Sequence, residues 1–211
     1  MSQRIAIVDY GMGNLRSVQK ALAHVAPQAH VAITDDPAEV RRADRVVFPG
    51  QGAMPDCMRS LESSGLGDAV REAAGSRPFL GLCIGQQMLF ERSAEGDTPG
   101  LALLGGRVVG FEITPERRRA GLKVPHMGWN EVHQVAPHAL WRGIADGSRF
   151  YFVHSYFCEP ADARLAAGQT RYAGAFTSAI ASDNIFATQF HPEKSSVAGL
   201  ALLSNFATWN P

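Results

Sequence analysis

Three short apolar runs each end in a glycine-bearing turn and then give way to helical spacing, and this alternation restricts the chain to few architectures. Ile5-Ala6-Ile7-Val8 runs into Asp9-Tyr10-Gly11-Met12-Gly13, after which Leu15, Val18, Ala21, Leu22 and Val25 recur at helical intervals. Arg45-Val46-Val47-Phe48 ends at Pro49-Gly50, and helical periodicity follows from Met54 to about Ala74, interrupted at Ser63-Ser64-Gly65. Pro78-Phe79-Leu80-Gly81-Leu82 then feeds a helix predicted over Gly85 to Arg92. Between the first two runs, His30 to Thr34 alternates like a strand and Asp36-Pro37 can start a short helix. Strands that are apolar throughout bury both faces, which requires helices on both sides and therefore a parallel sheet.

From Leu101 the pattern changes to β-like segments separated by turns: Arg107–Phe111, Glu131–Val135, Phe150–Phe157, Arg164–Thr170 and Ile185–Phe190. Ser196 to Trp209 closes the chain as a helix, with Val197, Leu200, Leu203, Phe206 and Ala207 on one face. The predicted fold class is α/β, a mostly parallel central sheet flanked by helices with antiparallel additions. No linker, repeat or low-complexity tract divides residues 1–211, so one domain is expected, and a chain this long can bury a core without disulfides or a structural metal.

Twenty basic residues balance 20 acidic ones, which removes the broad attraction typical of nucleic-acid and anionic-membrane binders. Arg117-Arg118-Arg119 reads as a solvated loop or turn. Cys57, Cys83 and Cys158 are odd in number and lack C-x-x-C spacing, which argues against a disulfide framework or thiolate metal site and suits a reducing, cytoplasmic setting. The N-terminal apolar run is too short for a signal or membrane segment. His126, His133 and His138 match no compact metal motif and read as surface or hydrogen-bonded histidines. Tyr10-Gly11-Met12-Gly13-Asn14 lacks the third glycine of a dinucleotide fingerprint. Neither a metal nor a cofactor is expected.

Chemistry concentrates at Gly81-Leu82-Cys83-Ile84-Gly85. Small residues two before and two after a reactive side chain permit a strained strand-to-helix turn. A cysteine there sits at a helix N-terminus, where free N–H groups favour thiolate over thiol, and the Ile84 N–H is left to face an oxyanion. The competing reading is a small cysteine packed between glycines. Gln189-Phe190-His191-Pro192-Glu193 offers a base. Pro192 keeps His191 extended, so His191 and Glu193 share a face and the carboxylate can fix the imidazole tautomer. Taken alone, that tripeptide reads first as a surface turn before a helix capped by Ser195 or Ser196, and only its pairing with Cys83 reverses that reading. Pro49-Gly50-Gln51-Gly52 is a flexed βα turn able to supply a second oxyanion donor.

Gly81-Leu82-Cys83-Ile84-Gly85-Gln86-Gln87 together with His191-Pro192-Glu193 resembles the class I, triad-type glutamine amidotransferases, a flavodoxin-like α/β family of about this length. Five further blocks resemble its branch of glutaminase subunits of imidazole glycerol phosphate synthases: Tyr10 to Leu15, Pro49 to Ala53, Pro125-His126-Met127-Gly128-Trp129-Asn130, Val153 to Tyr156 and Gln189 to Ser195. The Pro125–Asn130 block is what points to that branch.

The resemblance implies that Cys83 attacks the side-chain amide of L-glutamine, His191 carries protons and Glu193 orients His191. Gly50, Gln51 and Gly52 resemble the oxyanion strand, completed by Ile84. Gln87, His154, Ser155 and Tyr156 resemble glutamine-binding elements. Asn14, Met127, Trp129, Tyr151 and Lys194 resemble residues facing a (β/α)8-barrel cyclase/synthase subunit of the HisF type, with which the family forms a heterodimer and to which it passes ammonia in histidine biosynthesis. Gln51 departs from the family's aliphatic pattern at its position. Two rivals differ in class: a stand-alone thiol hydrolase, such as a γ-glutamyl hydrolase or peptidase, and a catalytically silent binding module with Cys83 buried.

Overall fold

The computed structural model describes residues 2–119 and 121–211. In chain order the first half runs β1 (Arg4–Val8), α1 (Leu15–Val25), β2 (His30–Thr34), α2 (Pro37–Arg42), β3 (Arg45–Gly50), α3 (Met54–Ser64), α4 (Gly67–Ala74), β4 (Phe79–Cys83) and α5 (Ile84–Gln87). Next come β5 (Phe90–Ser93), β6 (Thr98–Pro99), β7 (Leu104–Gly110), α6 (Pro115–Arg119), β8 (His126–Gln134), β9 (Ser148–His154) and β10 (Tyr156–Pro160). The chain closes with β11 (Ala166–Arg171), β12 (Ala175–Ser182), β13 (Ile185–Thr188) and α7 (Ser196–Thr208).

The strands form one mixed sheet in the order β2-β1-β3-β4-β13-β12-β10-β7-β5-β6, with β11 linking β12 to β8 and β8 pairing β9. The block from β2 to β13 is parallel. β12 joins β13 antiparallel, as β9 joins β8. Alternate residues of a strand face opposite sides of the sheet. Ala6, Val8, Val46 and Phe48 accordingly pack with Val40, Leu61 and Val70 of α2, α3 and α4. Ile5, Ile7, Val47, Leu80 and Leu82 pack with Val18 and Leu22 of α1 and with Leu202, Leu203 and Phe206 of α7. Burial of each such large side chain contributes roughly 1.5–3 kcal/mol, which explains why the parallel strands read as apolar throughout.

Local signals fix several boundaries. The Asp36 carboxylate accepts from the Ala38 N–H at 2.8 Å and Pro37 opens α2. Gly65, at φ 72°, ends α3 where the periodicity breaks. Among the described residues no helix is long and apolar enough to cross a membrane.

Five expectations need correction. The helix expected over Gly85 to Arg92 stops at Gln87, and Phe90–Ser93 is a strand. There the Met88 and Leu89 carbonyls accept from the N–H groups of Leu101, Leu103 and Leu104, a tertiary pairing that replaces helix continuation. The strand expected over Phe150–Phe157 is two, broken at Ser155, where the chain leaves β8 to pair with β7. Arg118 and Arg119 are exposed as expected and Arg117 is half-buried, but the triplet lies in α6 rather than in a loop. In α7 the buried face is Gly199, Leu202, Leu203, Phe206 and Ala207, while Val197 is 80% exposed and Leu200 half-buried. Gly199 sits so close to the Pro192 carbonyl that no Cβ fits, and this contact sets the helix's rotation. Finally, β12 has no counterpart in the sequence reading. Its alanines and serines have weak strand preference, and it is a strand because β11, β13 and β10 surround it.

Candidate active site

β4 carries Cys83 to the carboxyl edge of the sheet, where open α/β folds place their ligands. Cys83 adopts φ 55°, ψ −112°, a conformation that costs a non-glycine residue about 1–3 kcal/mol. The neighbours explain how the strain is held. A Cβ on Gly85 would land on the Phe48 carbonyl, and one on Gly81 would lie 3.1 Å from the Ala187 Cβ. Gly50 pairs with Cys83 in register, and a Cβ there would come within 2.7 Å of the Tyr10 hydroxyl and 2.9 Å of the Ile84 Cβ. As the first residue of α5, Ile84 has an N–H without an intrahelical acceptor. The residues expected to supply the oxyanion donors therefore surround the thiol.

His191 follows β13 in extended conformation, and the turn Pro192–Lys194 brings Glu193 back against it. His191 Nδ1–H donates to Glu193 Oε1 at 2.9 Å, with the two side chains 5% and 1% exposed. That bond fixes the tautomer and leaves Nε2, which has no hydrogen-bond partner among the described residues, free to serve as base. Burial pulls the imidazole's pKa down, but negative charge on Cys83 and the bond to Glu193 outweigh it and push it up to about 10. By this geometry Glu193→Gln, which keeps an oxygen acceptor for Nδ1–H, should lower kcat less than His191→Ala, by about one to two orders of magnitude. Steady-state kinetics of the two variants check this, and the reverse ranking would overturn the assigned roles.

Cys83 and His191 open into one cavity of about 230 Å3, lined also by Gln51, Gly52, Ile84, Gln87, His154, Ser155 and Tyr156. Gly50 is buried and is not among the residues that line this cavity. Pro125, Val153 and Glu95 complete the lining and were not singled out from sequence as site residues. Glu95 accepts from the Met54 N–H at 2.9 Å, a contact between segments 41 residues apart that no local pattern announces. A larger cavity, about 570 Å3, borders Ser2, Arg4 and His30 and is lined by no cysteine.

Buried polar groups beside the cavity form a continuous chain. The Tyr156 carbonyl accepts from Gln87 Nε2 at 3.0 Å and from His154 Nδ1 at 2.8 Å. His154 Nε2 then accepts from His126 Nδ1 at 2.9 Å, and His126 Nε2 accepts from Asn130 Nδ2 at 3.2 Å. A carbonyl can only accept, so both imidazoles carry their proton on Nδ1. Gln87 also donates to Gln189 Oε1 at 2.9 Å, and Gln189 Nε2 donates to Cys83 Sγ at 3.7 Å. Gln189 belongs to a block singled out from sequence, yet no role attached to it there. Of the three histidines at i, i+7 and i+12, His133 instead faces Asp146 and His138 accepts from the Leu140 N–H.

Burial lowers His126 to about 4 and His154 to about 3, the latter opposed by its bond to the Tyr156 carbonyl. The unfolded chain takes up both protons near 6.5. Stability is therefore full above that value and drains as pH falls towards the folded values, because the unfolded state binds more protons in that window. The urea midpoint should be lower at pH 5 than at pH 7, and His154→Gln should reduce the difference. An unchanged midpoint would contradict the neutral pair.

The opposite face of β8 is exposed: Met127 is 63% and Trp129 45% accessible. Trp129 pairs with Tyr151 of β9, their rings 6.3 Å apart, and the Lys194 ammonium lies 5.8 Å from the Tyr151 ring centre. The Tyr151 carbonyl accepts from the His191 N–H at 2.9 Å, and its N–H donates to Ser195 Oγ at 3.0 Å. Three of the five residues expected to face a partner, Trp129, Tyr151 and Lys194, thus gather beside the His191–Glu193 turn; Met127 lies two residues before Trp129 on β8, and Asn14, half-exposed, precedes α1.

The family description "Glutamine amidotransferase class-I" matches residues 6–208. "Imidazole glycerol phosphate synthase subunit HisH" of Nitrosospira multiformis is 62% identical over 98% of this chain and 98% of its own. The HisH protein of Aromatoleum aromaticum is 63% identical over 98% and 99%. Solved structures share the fold at low identity. PurLQS from Thermotoga maritima aligns with TM-score 0.74 and 16% identity over 98% of both chains. A crystal structure described as a glutamine amidotransferase aligns with TM-score 0.71 and 15% identity over 97% of this chain and 99% of that one. With a family match over nearly its whole length and relatives above 60% identity, the chain belongs to the class-I glutamine amidotransferases, in the branch of the HisH subunits.

Proposed function

We propose that this chain is the cytoplasmic glutaminase subunit of an imidazole glycerol phosphate synthase, hydrolysing L-glutamine to L-glutamate and ammonia. The ammonia passes to a (β/α)8-barrel cyclase/synthase subunit of the HisF type in histidine biosynthesis. The observation that carries this reading is Cys83, strained at the strand end, sharing one cavity with the buried His191–Glu193 pair.

In the first half-reaction His191 Nε2 takes the thiol proton and the sulfur attacks the amide carbon of glutamine. A C–S bond forms and the carbonyl π electrons move to oxygen, where the Ile84 N–H and an N–H of the Gly50–Gly52 segment receive the charge. The oxyanion collapses, the C–N bond breaks and His191 protonates the departing nitrogen, so ammonia leaves and a γ-glutamyl thioester remains. Water, deprotonated by His191, then attacks the thioester. The C–S bond breaks, glutamate leaves and the thiol regains its proton. Gln87 Oε1, buried and without a partner among the described residues, and the Ser155–Tyr156 backbone are suited to hold the substrate's polar groups.

Trp129 and Met127 support a partner on the outer face of β8, since large exposed side chains of this kind serve as interface anchors. Their neighbour Tyr151 is bonded to the catalytic turn on both sides, so a docked partner would bear directly on His191. The test is glutamate production by the purified chain, first alone and then with a barrel synthase and its nucleotide ligand. Large stimulation is expected. Equal, rapid turnover in both samples would favour a stand-alone hydrolase, and no turnover in either would favour a silent binding module.

A further inference from the structure

We propose that Gln189 is a further catalytic residue, whose side-chain amide donates a hydrogen bond to the Cys83 sulfur and holds that sulfur as an acceptor ready for attack. The proposal deepens the glutaminase reading and rests on it for the reaction the sulfur performs.

The orientation of the Gln189 amide follows from its surroundings. The Tyr156 carbonyl can only accept, so the Gln87 atom 3.0 Å away is nitrogen. The same nitrogen lies 2.9 Å from Gln189, and its second proton requires an oxygen there. Gln189 Nε2 is left 3.7 Å from Cys83 Sγ. Reversing either amide would set donor against donor or acceptor against acceptor inside a site where Gln87 is 1% and Gln189 0% exposed. His154 Nδ1–H, on the same carbonyl, reinforces the arrangement. The donor that meets the sulfur is therefore fixed from three residues away.

The groups around Cys83 leave this donor a distinct task. His191, backed by Glu193, faces it from the turn after β13 and supplies the positive charge. His154 from β9 is neutral, and Tyr10 after β1, Cys57 of α3 and Cys158 of β10 are held protonated by burial. Glu95 lines the cavity and is bonded to the Met54 N–H. α5 is only four residues long, so its dipole is short. When His191 gives its proton to the departing nitrogen, the Gln189 amide is the donor that stays with the sulfur through both half-reactions.

The experiment is the rate of Cys83 alkylation by iodoacetamide in the full chain across pH, located by peptide mass mapping. Gln189→Leu is expected to slow alkylation at pH 7 about tenfold and move the pH profile to higher values. The isosteric Gln189→Glu, which brings a carboxylate to the sulfur, is expected to slow it further. In the glutaminase assay the loss should fall on kcat with KM little changed. A folded Gln189→Leu protein with the wild-type rate and profile would overturn the proposal. Should both variants fail to fold, the wild type decides: the 15N-labelled Gln189 side-chain amide is expected to shift when Cys83 is alkylated, and an unmoved resonance would overturn it. Slowed alkylation in a chain that turns over no glutamine, with or without partner, would leave the proposal standing while removing the glutaminase reading.

Discussion

Cys83→Ala is expected to abolish release of glutamate and ammonia, lowering kcat by at least about a thousandfold, while folding and partner binding persist. No other group can take over the attack. Cys57 and Cys158 are fully buried and free, and burial pushes the Cys57 thiol up to about 11 and the Cys158 thiol well above its usual value. The substitution removes one sulfur from a position that is 5% exposed, so the change in unfolding free energy should stay near about 1 kcal/mol. The backbone at φ 55° is no worse for alanine than for cysteine. Ammonia assays, urea titration and co-purification with a barrel synthase check the three parts. Persistent activity would remove Cys83 from the mechanism, and loss of partner binding would show that the elbow also shapes the docking face.

Gly85→Ala should be far more damaging to the fold. Its Cβ would collide with the Phe48 carbonyl, a backbone atom of β3 with parallel neighbours on both sides, so no side-chain rotation relieves the clash. Overpacking of this kind costs about 3 kcal/mol or more and in this chain would push β3 away from the elbow. Gly67→Ala is the contrasting case. A Cβ at this first residue of α4 meets nothing within 4 Å, and alanine restricts the unfolded chain, so stability should rise by about 0.5–1 kcal/mol. Thermal unfolding of both variants tests the pair. Wild-type stability in Gly85→Ala would contradict the close approach of β3 and α5.

What was legible in the sequence was whatever short-range periodicity decides. Leu15–Val25 is a helix at the boundaries its apolar spacing marks, and β2 spans the predicted His30 to Thr34. The glycines around Cys83 are required because backbone approaches them, as the strand-to-helix pattern implies. Illegible were choices made by distant partners. Met88-Leu89-Phe90 fits helix and strand equally, and only the Leu101–Leu104 backbone decides between them. β12 carries little preference of its own. The buried face of α7 depends on a contact with the Pro192 carbonyl.

The site divides in the same way. Cys83, His191 and Glu193 could be paired because two motifs with complementary chemistry stood in one chain; Cys83 and His191 do line one cavity, and the turn after His191 brings Glu193 against it. Gln189 and His126 could not be read so directly. Each acts through a hydrogen bond to a residue 28 to 106 positions away, and tautomer and amide orientation emerge only when all partners are in place. Tyr10 likewise gains its place against Gly50 only when β1 and β3 have paired.

The most direct test of the account is to incubate the chain with a glutamine analogue bearing an electrophile at the γ-carbon and identify the modified residue by mass spectrometry, with and without excess L-glutamine. The account predicts modification of Cys83 alone, prevented by L-glutamine and absent in Cys83→Ala. Equal labelling of all three cysteines, or labelling of Cys83 that L-glutamine does not prevent, would contradict it.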